Sequence, residues 1–198
     1  MLEIALTLFL VINPIGNSPA VLAVVKNFTF ERQKKILLRE AIFAVLIALF
    51  FQYFGEIFLG ALNIQKYATT ITGGLILLLV AIGMIFPKHE EQADSKHLQQ
   101  EPFIVPIATP LLSGAGLLST IMLYAARENN AFLVSSAILI AGVGVVGVMY
   151  SAPYMLKLFG KRGLLALEQF MGMILVLISV EMLVKGVSLF INVLGTVQ

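Results

Sequence analysis

Cysteine is absent from the 198 residues, which removes disulfides, thiolate metal sites and cysteine nucleophiles from consideration. Charge is scarce: Asp, Glu, Lys and Arg make up 12% of the chain, against about 25% in an ordinary soluble domain. Both histidines, His89 and His97, fall in a single polar stretch, so the apolar segments carry no imidazole. Neither H-E-x-x-H nor G-x-S-x-G occurs, and metalloprotease or serine-hydrolase chemistry has no motif to rest on. No cleavable secretory leader is expected either. The opening MLEIALTLFLV lacks a basic region and a small-residue cleavage site, so the first apolar segment is expected to stay as a span.

Hydrocarbon is what the chain has instead. Hydrophobic residues make up 59% of it and the mean hydropathy is +0.97. Several stretches reach the ~18–20 apolar residues that cross a bilayer. The class predicted is an all-α polytopic membrane protein in one membrane domain. Six transmembrane helices are expected, at roughly 2–26, 39–62, 67–86, 103–126, 131–156 and 166–190. Repeat one then covers about 1–86, a cytoplasmic link about 87–102, and repeat two about 103–198. Lys26, Arg32, Lys34, Lys35, Arg39, Lys88, Lys96, Lys157, Lys161 and Arg162 flank the first, third and fifth connections. Only Lys66, Arg127 and Lys185 lie towards the other side. The positive-inside rule then puts both termini outside the cytoplasm.

Three helices per half would make the two halves an inverted pair. At a constant offset of 98 residues, taking Gly74 to Gly172, span three and span six share six identities over seventeen positions. The interruptions are the more telling feature. Span one is broken by Asn13-Pro14-Ile15-Gly16-Asn17-Ser18-Pro19, and span four by Thr109-Pro110-Leu111-Leu112-Ser113-Gly114-Ala115-Gly116. The first helix of each repeat is thus expected to break in mid-membrane. Broken apolar segments at matching places in two halves are the best sequence pointer to a transporter's binding site.

Proline should end the first half-helix near Asn13. Gly16 permits unusual backbone angles, and Ser18-Pro19 reads as an N-cap followed by proline at the first helical position. Ser113 is a second candidate cap. Backbone freed at membrane depth must face protein or water, so the two breaks should meet inside the bundle. Free N–H groups there would suit a carboxylate and free carbonyls a cation or ammonium group. The substrate-binding candidates are Asn13, Pro14, Gly16, Asn17, Ser18, Thr109, Pro110, Ser113, Gly114 and Gly116. The competing reading is that each break merely kinks its helix, with neighbouring helices satisfying the freed groups.

At these residues the chain resembles the MarC family of bacterial inner-membrane proteins. Asn13-Pro14-Ile15-Gly16-Asn17 matches the family's N-P-x-G-N segment, and Pro110-Leu111-Leu112-Ser113-Gly114-Ala115-Gly116 its P-L-x-x-G-x-G-like stretch. Ala115 departs from the family, which commonly has proline between those glycines. The resemblance spans essentially the whole chain. It implies a multi-pass protein of the bacterial plasma (inner) membrane, similar to transporters of small neutral amino acids such as glycine and alanine, coupled to a cation.

Glu181 is the deepest charge in a span. It is a coupling or gating candidate, or half of an i, i+4 pair with Lys185. Glu56 and Glu168 read as interfacial. His89 and His97, near Glu90, Glu91 and Asp94, match no tight metal motif and read as a solvated loop. Gly142, Gly144 and Gly147 read as packing positions. Three functions compete. The first is a secondary transporter of small neutral solutes, without cofactor apart from a coupling ion, sodium or proton. The second is a non-transporting or lipid-handling membrane protein. The third, an intramembrane enzyme, would have to work with Glu181 and hydroxyls alone. No catalytic residue and no metal ligand is assigned. The expected partners are membrane lipids and a small-molecule solute, with a homo-oligomer open and no feature that suits nucleic acid.

Overall fold

Proline and glycine set several of the helix boundaries. The computed structural model describes residues 1–86, 101–128 and 130–195. Lys88, His89, Glu90, Glu91, Asp94, Lys96 and His97, with most of the expected cytoplasmic link, lie outside the described residues, as do the side chains of Glu56 and Arg127. Among the described residues every regular element is helical. α1 (Leu2–Ile12) ends at Asn13, and α2 (Ser18–Val25) resumes after a turn. α3 (Phe30–Ala61) and α4 (Lys66–Ile85) follow. A π-helical turn (Ile107–Leu112) then leads through Ser113 and Gly114 into α5 (Ala115–Arg127), and α6 (Ala131–Gly195) completes the chain.

By length and composition, α3 over Phe30–Gly55, α4 and α6 can cross a membrane, while Leu2–Ile12 and Ala115–Ala125 are shorter apolar helices. α6 counts 65 residues, which as a straight rod would reach almost ~100 Å, about three times the hydrocarbon thickness. It does not run straight. Gly160 takes φ 65° and ψ 179°, a conformation that side chains resist, and divides α6 into arms at 131–159 and 161–195. Either arm exceeds the ~20 residues a crossing needs. Where the sequence suggests a loop between 156 and 166, one glycine makes the break.

Two other boundaries differ from the expected ones. α3 takes in the basic stretch assigned to a link, because Thr29 starts it in extended conformation (φ −62°, ψ 153°) and Glu31 lies in its first turn. An acidic residue there complements the helix dipole, and the Glu, Arg, Gln and Lys that follow are strong helix formers. In the other direction, the helix expected from 103 becomes α-helical only at Ala115. Pro102, Pro106 and Pro110 each remove an amide donor ahead of it.

α4 runs antiparallel to the second arm of α6, with Ile71 against Gly186, Gly74 against Ser179 and Met182, and Ala81 and Met84 against Gly172. α3 buries Ile36, Leu37, Ala41, Ala44 and Ala48, and Val45 fills the space above Gly142. Gly144 sits under Phe9, whereas Gly147 has no neighbour that a Cβ would meet within 4 Å. One end of the bundle gathers the α3–α4 turn and the start of α6, where Gln52 donates to the Ala131 carbonyl at 2.8 Å. The opposite end gathers Arg32, Lys34, Arg39, Glu101 and Tyr154.

Candidate functional site

The first interruption is a tight turn built by two asparagines. Asn13, 1% exposed, adopts the left-handed conformation (φ 51°, ψ 53°) that caps α1, one of the few non-glycine residues that tolerates it. Its Oδ1 accepts the Gly16 N–H at 3.2 Å and its Nδ2 donates to Met84 Sδ at 3.4 Å. The unusual angles therefore fall on Asn13, and Gly16 is needed for room. A Cβ at Gly16 would lie 2.5 Å from Met84 Cε and 2.7 Å from Asn13 Oδ1. Ser18 is fully buried but is not the N-cap, which is Asn17. Its hydroxyl donates back to the Pro14 carbonyl at 2.8 Å.

The second interruption is held from outside. Thr109 (φ −133°, ψ 130°) leaves helical geometry before Pro110. The N–H groups of Thr109 and Ser113 reach the carbonyls of Ile104 (3.0 Å) and Ala108 (2.8 Å), five residues back, the spacing of a π-turn. Ser113 does not cap α5 either. Gly114 occupies that position, and the Ser113 hydroxyl crosses to the Ala44 carbonyl of α3 at 3.0 Å. Gly114 lies so close to the Pro110 carbonyl that a Cβ would stand 2.9 Å from it.

One side chain joins the two breaks. Asn17 Nδ2 donates to the Ile12 carbonyl at 2.9 Å and to the Leu111 carbonyl at 3.1 Å. Asn17 thus brings the first break against Leu111 of the second, with Asn13, Pro14, Gly16 and Ser18 buried beside it. Ser113 turns instead to Ala44 of α3, and Gly116 is buried against Leu77 of α4. Thr109 is only half-buried and Pro110 is exposed, so neither of these two residues contributes a buried wall there. Glu181 does not join them. It pairs with Lys185 at 3.0 Å on the outer side of α6, with 62% of its side chain exposed.

The pole of free N–H groups expected at the start of α2 is largely taken up. Gly16 N–H is taken by Asn13 Oδ1, and the N–H groups of Asn17 and Ser18 by the carbonyls of Asn13 (2.9 Å) and Ile15 (3.2 Å). Pro19 has none. The carbonyls of Ile12, Asn13, Pro14 and Ile15 are engaged likewise. The first break thus bonds most of its polar groups internally and reaches the second through Asn17 alone, so a solute arriving there must exchange its own polar groups for these bonds.

Two features escape the sequence reading. A cavity of about 390 Å³ opens beneath the α3–α4 turn, walled by Gln52, Asn63, Gln65, Thr69, Thr70 and Met122 among others, and it reaches Ser119 on α5. Distant residues assemble it, and no local pattern announces it. The other is Glu40, wholly buried in α3 and bonded to Arg39. Its signal is present as a carboxylate within the apolar run ILLREAIFAVL. Beyond it, at the same end of the bundle, Glu101 accepts from Arg32 Nε at 3.0 Å and from Arg39 Nη1 at 2.8 Å. The Arg32 bond holds the Glu101 carboxyl below the usual carboxylate range, against the opposing effect of burial and with the charges of Arg32 and Arg39 adding to it.

Apolar helices with a buried polar centre made from interrupted backbone define an integral membrane protein. The chain belongs to the MarC family, whose description, MarC family integral membrane protein, matches residues 1–191. It is similar to a UPF0056 membrane protein of Buchnera aphidicola subsp. Baizongia pistaciae, 37% identical over 95% of this chain and 96% of that one. It is also similar to the UPF0056 inner membrane protein YhgN of Escherichia coli K12, 34% identical over 97% of this chain and 98% of that one. A UPF0056 membrane protein of Chlamydia muridarum is 31% identical over 98% and 95% respectively. No solved structure matches the chain.

Proposed function

We propose that this protein is a secondary transporter of small neutral solutes, small neutral amino acids first among them, driven by a cation. The observation that carries the reading is the Asn17 side chain, which ties the end of α1 to the second interruption through two carbonyls. Backbone breaks in a lipid-embedded chain are costly unless they line a protected site. Two breaks clasped by one amide form a joint that can part as one half rocks against the other. The cavity ending at Ser119 supplies a vestibule on one side. In this reading the chain makes six crossings as two inverted three-helix repeats, with both termini outside the cytoplasm. It works in the bacterial inner membrane and catalyses no reaction. Lipids surround it, and a second copy would shield the exposed Glu181–Lys185 pair.

Uptake of labelled glycine and alanine by proteoliposomes tests the proposal. Wild-type protein should accumulate solute only when a sodium or proton gradient is imposed, and a folded Asn17→Ala variant should lose that accumulation. Absence of gradient-dependent uptake by wild-type protein across a broad panel of small neutral solutes would overturn it.

A further inference from the structure

Glu40 is the buried acid for which the interruptions provide no role. Its side chain has no exposed surface, and it lies on the stripe of Ile36, Leu37, Ala41 and Ala44 that α3 turns into the bundle. Oε1 accepts from both Nε (3.0 Å) and Nη2 (2.8 Å) of Arg39. Oε2, equally enclosed, has no hydrogen-bond partner. A carboxylate oxygen kept from both water and donors is among the least favourable arrangements in a protein interior. In a membrane-spanning helix such a group marks a path for ions or protons.

Its position connects it with the interruptions. Ala44 stands about one turn further along the same face of α3, ~6 Å on, and its carbonyl holds the Ser113 hydroxyl. Arg39 faces outwards from this centre. It binds Glu101 at 2.8 Å and the Pro102 carbonyl, and its guanidinium lies 5.1 Å over the Phe103 ring. α2 and the π-helical turn contain no titratable side chain, and the buried face of α6 at this end presents Met149, Ala152 and Pro153. Lys34 is committed to Glu31 and Tyr154. Arg39 is therefore the charged group that faces Glu40, and Glu101 reaches Glu40 only through Arg39.

We propose that Glu40 Oε2 is the binding group for the coupling cation, a proton or a sodium ion. A proton needs that oxygen alone, while sodium would draw further oxygens to it. Either one neutralises the carboxylate, loosens its hold on Arg39 and leaves the guanidinium to Glu101. The segment 101–103 and the second interruption behind it then move relative to α3. The inference rests on the transport reading, but its test needs no solute.

Purified full-length protein in detergent is treated with dicyclohexylcarbodiimide, which modifies protonated carboxyls in apolar surroundings, and labelled peptides are identified by mass spectrometry. Label on Glu40 that rises with acidity in sodium-free buffer identifies the proton. Label on Glu40 that falls with sodium, and not with choline at equal ionic strength, identifies sodium. In parallel, the melting temperature followed by circular dichroism should respond to that cation in wild type, Glu168→Gln and Glu181→Gln, and lose the response in Glu40→Gln. Should Glu40→Gln fail to fold, labelling of the wild-type protein decides. Label absent from Glu40 under every condition, or a Glu40→Gln melting temperature that answers the cation as wild type does, overturns the proposal. Cation binding without any uptake would instead overturn the transport reading and leave Glu40 as the cation site.

Discussion

Gly74 of α4 and Gly172 of α6 make reciprocal contacts. A Cβ on Gly74 would stand 3.1 Å from both the Ser179 carbonyl and Met182 Cβ, with Leu183 equally near. A Cβ on Gly172 would stand 3.1 Å from the Ala81 carbonyl and Met84 Cβ, and 3.0 Å from Ile85. Each of these partners is separated from its counterpart by the same 98 residues that separate the two glycines. The two methionines each accept a side-chain hydrogen bond, Met84 Sδ from Asn13 and Met182 Sδ from Thr120, but these donors are 107 residues apart and fall outside the offset. Matched contacts like those of the two glycines are what a two-fold relation between halves produces, and they support the proposed repeat.

Gly74→Ala and Gly172→Ala should therefore destabilise the protein to a similar degree. The obstructing atoms include main-chain carbonyls that cannot swing away, so α4 and the second arm of α6 must separate by tenths of an ångström. Overpacking of this kind costs about 1–3 kcal/mol. Gly83→Ala, with open space around the new methyl, should be close to neutral. Thermal unfolding in detergent checks all three, and a neutral outcome at either packed glycine would contradict the reciprocal contact.

The interruptions are legible in the sequence because they are local chemistry: proline removes a donor and glycine removes a side chain wherever they stand. The ends of α1 and α4 and the start of α2 follow from that. What the hydroxyls bond to is decided elsewhere. Ser18 and Ser113 both resemble caps, yet one turns back to Pro14 and the other crosses to Ala44, choices set by packing against α3. Gly160 turns α6 in one residue by taking φ 65° and ψ 179°, a conformation open to glycine that the sequence KLFGKRG, with a second glycine at Gly163, does not assign to one position. Glu40 sits beside Arg39, whose charge already has a topological explanation, and only burial separates the two roles.

Asn17→Ala should cost more than Ser113→Ala. Asn17 alone supplies the donor for the carbonyls of Ile12 and Leu111 across the two breaks, and a buried carbonyl left unpaired costs about 1–3 kcal/mol. The Ala44 carbonyl lies inside α3, where the helix supplies its main bond, so losing the Ser113 hydroxyl should cost only about 0.5–1.5 kcal/mol. Asn17→Asp keeps the shape and replaces the donor by an acceptor, and it should be at least as damaging as alanine at neutral pH. Chemical or thermal unfolding of the three variants gives the order directly.

Acid stability should depend on Glu101. Its folded-state pKa is depressed, chiefly by the Arg32 hydrogen bond, so it stabilises the fold above its unfolded value, about 4.3 for a glutamate. That contribution declines as pH falls below this value and through the folded pKa. Glu101→Gln should lower stability near neutrality and flatten the decline below about pH 4.3. Melting temperatures measured from neutral pH into the acid range check this, and an unchanged slope in the variant would remove Glu101 from the account.

Glu181 and Lys185 should behave as a pair that serves each other. Glu181 lies among exposed Leu177, Val180 and Val184, while Ser179 and Met182 face inwards. Removing one partner leaves a lone charge on an apolar surface, at about 2.5–3.5 kcal/mol if the arm is centred in the bilayer. Removing both, as Glu181→Leu with Lys185→Leu, should restore or raise stability, as apolar replacements of enclosed ion pairs often do. A double-mutant cycle on unfolding measures the coupling. The same double variant should keep the cation response assigned to Glu40. If it folds and loses that response, the coupling charge belongs on α6 and not on α3.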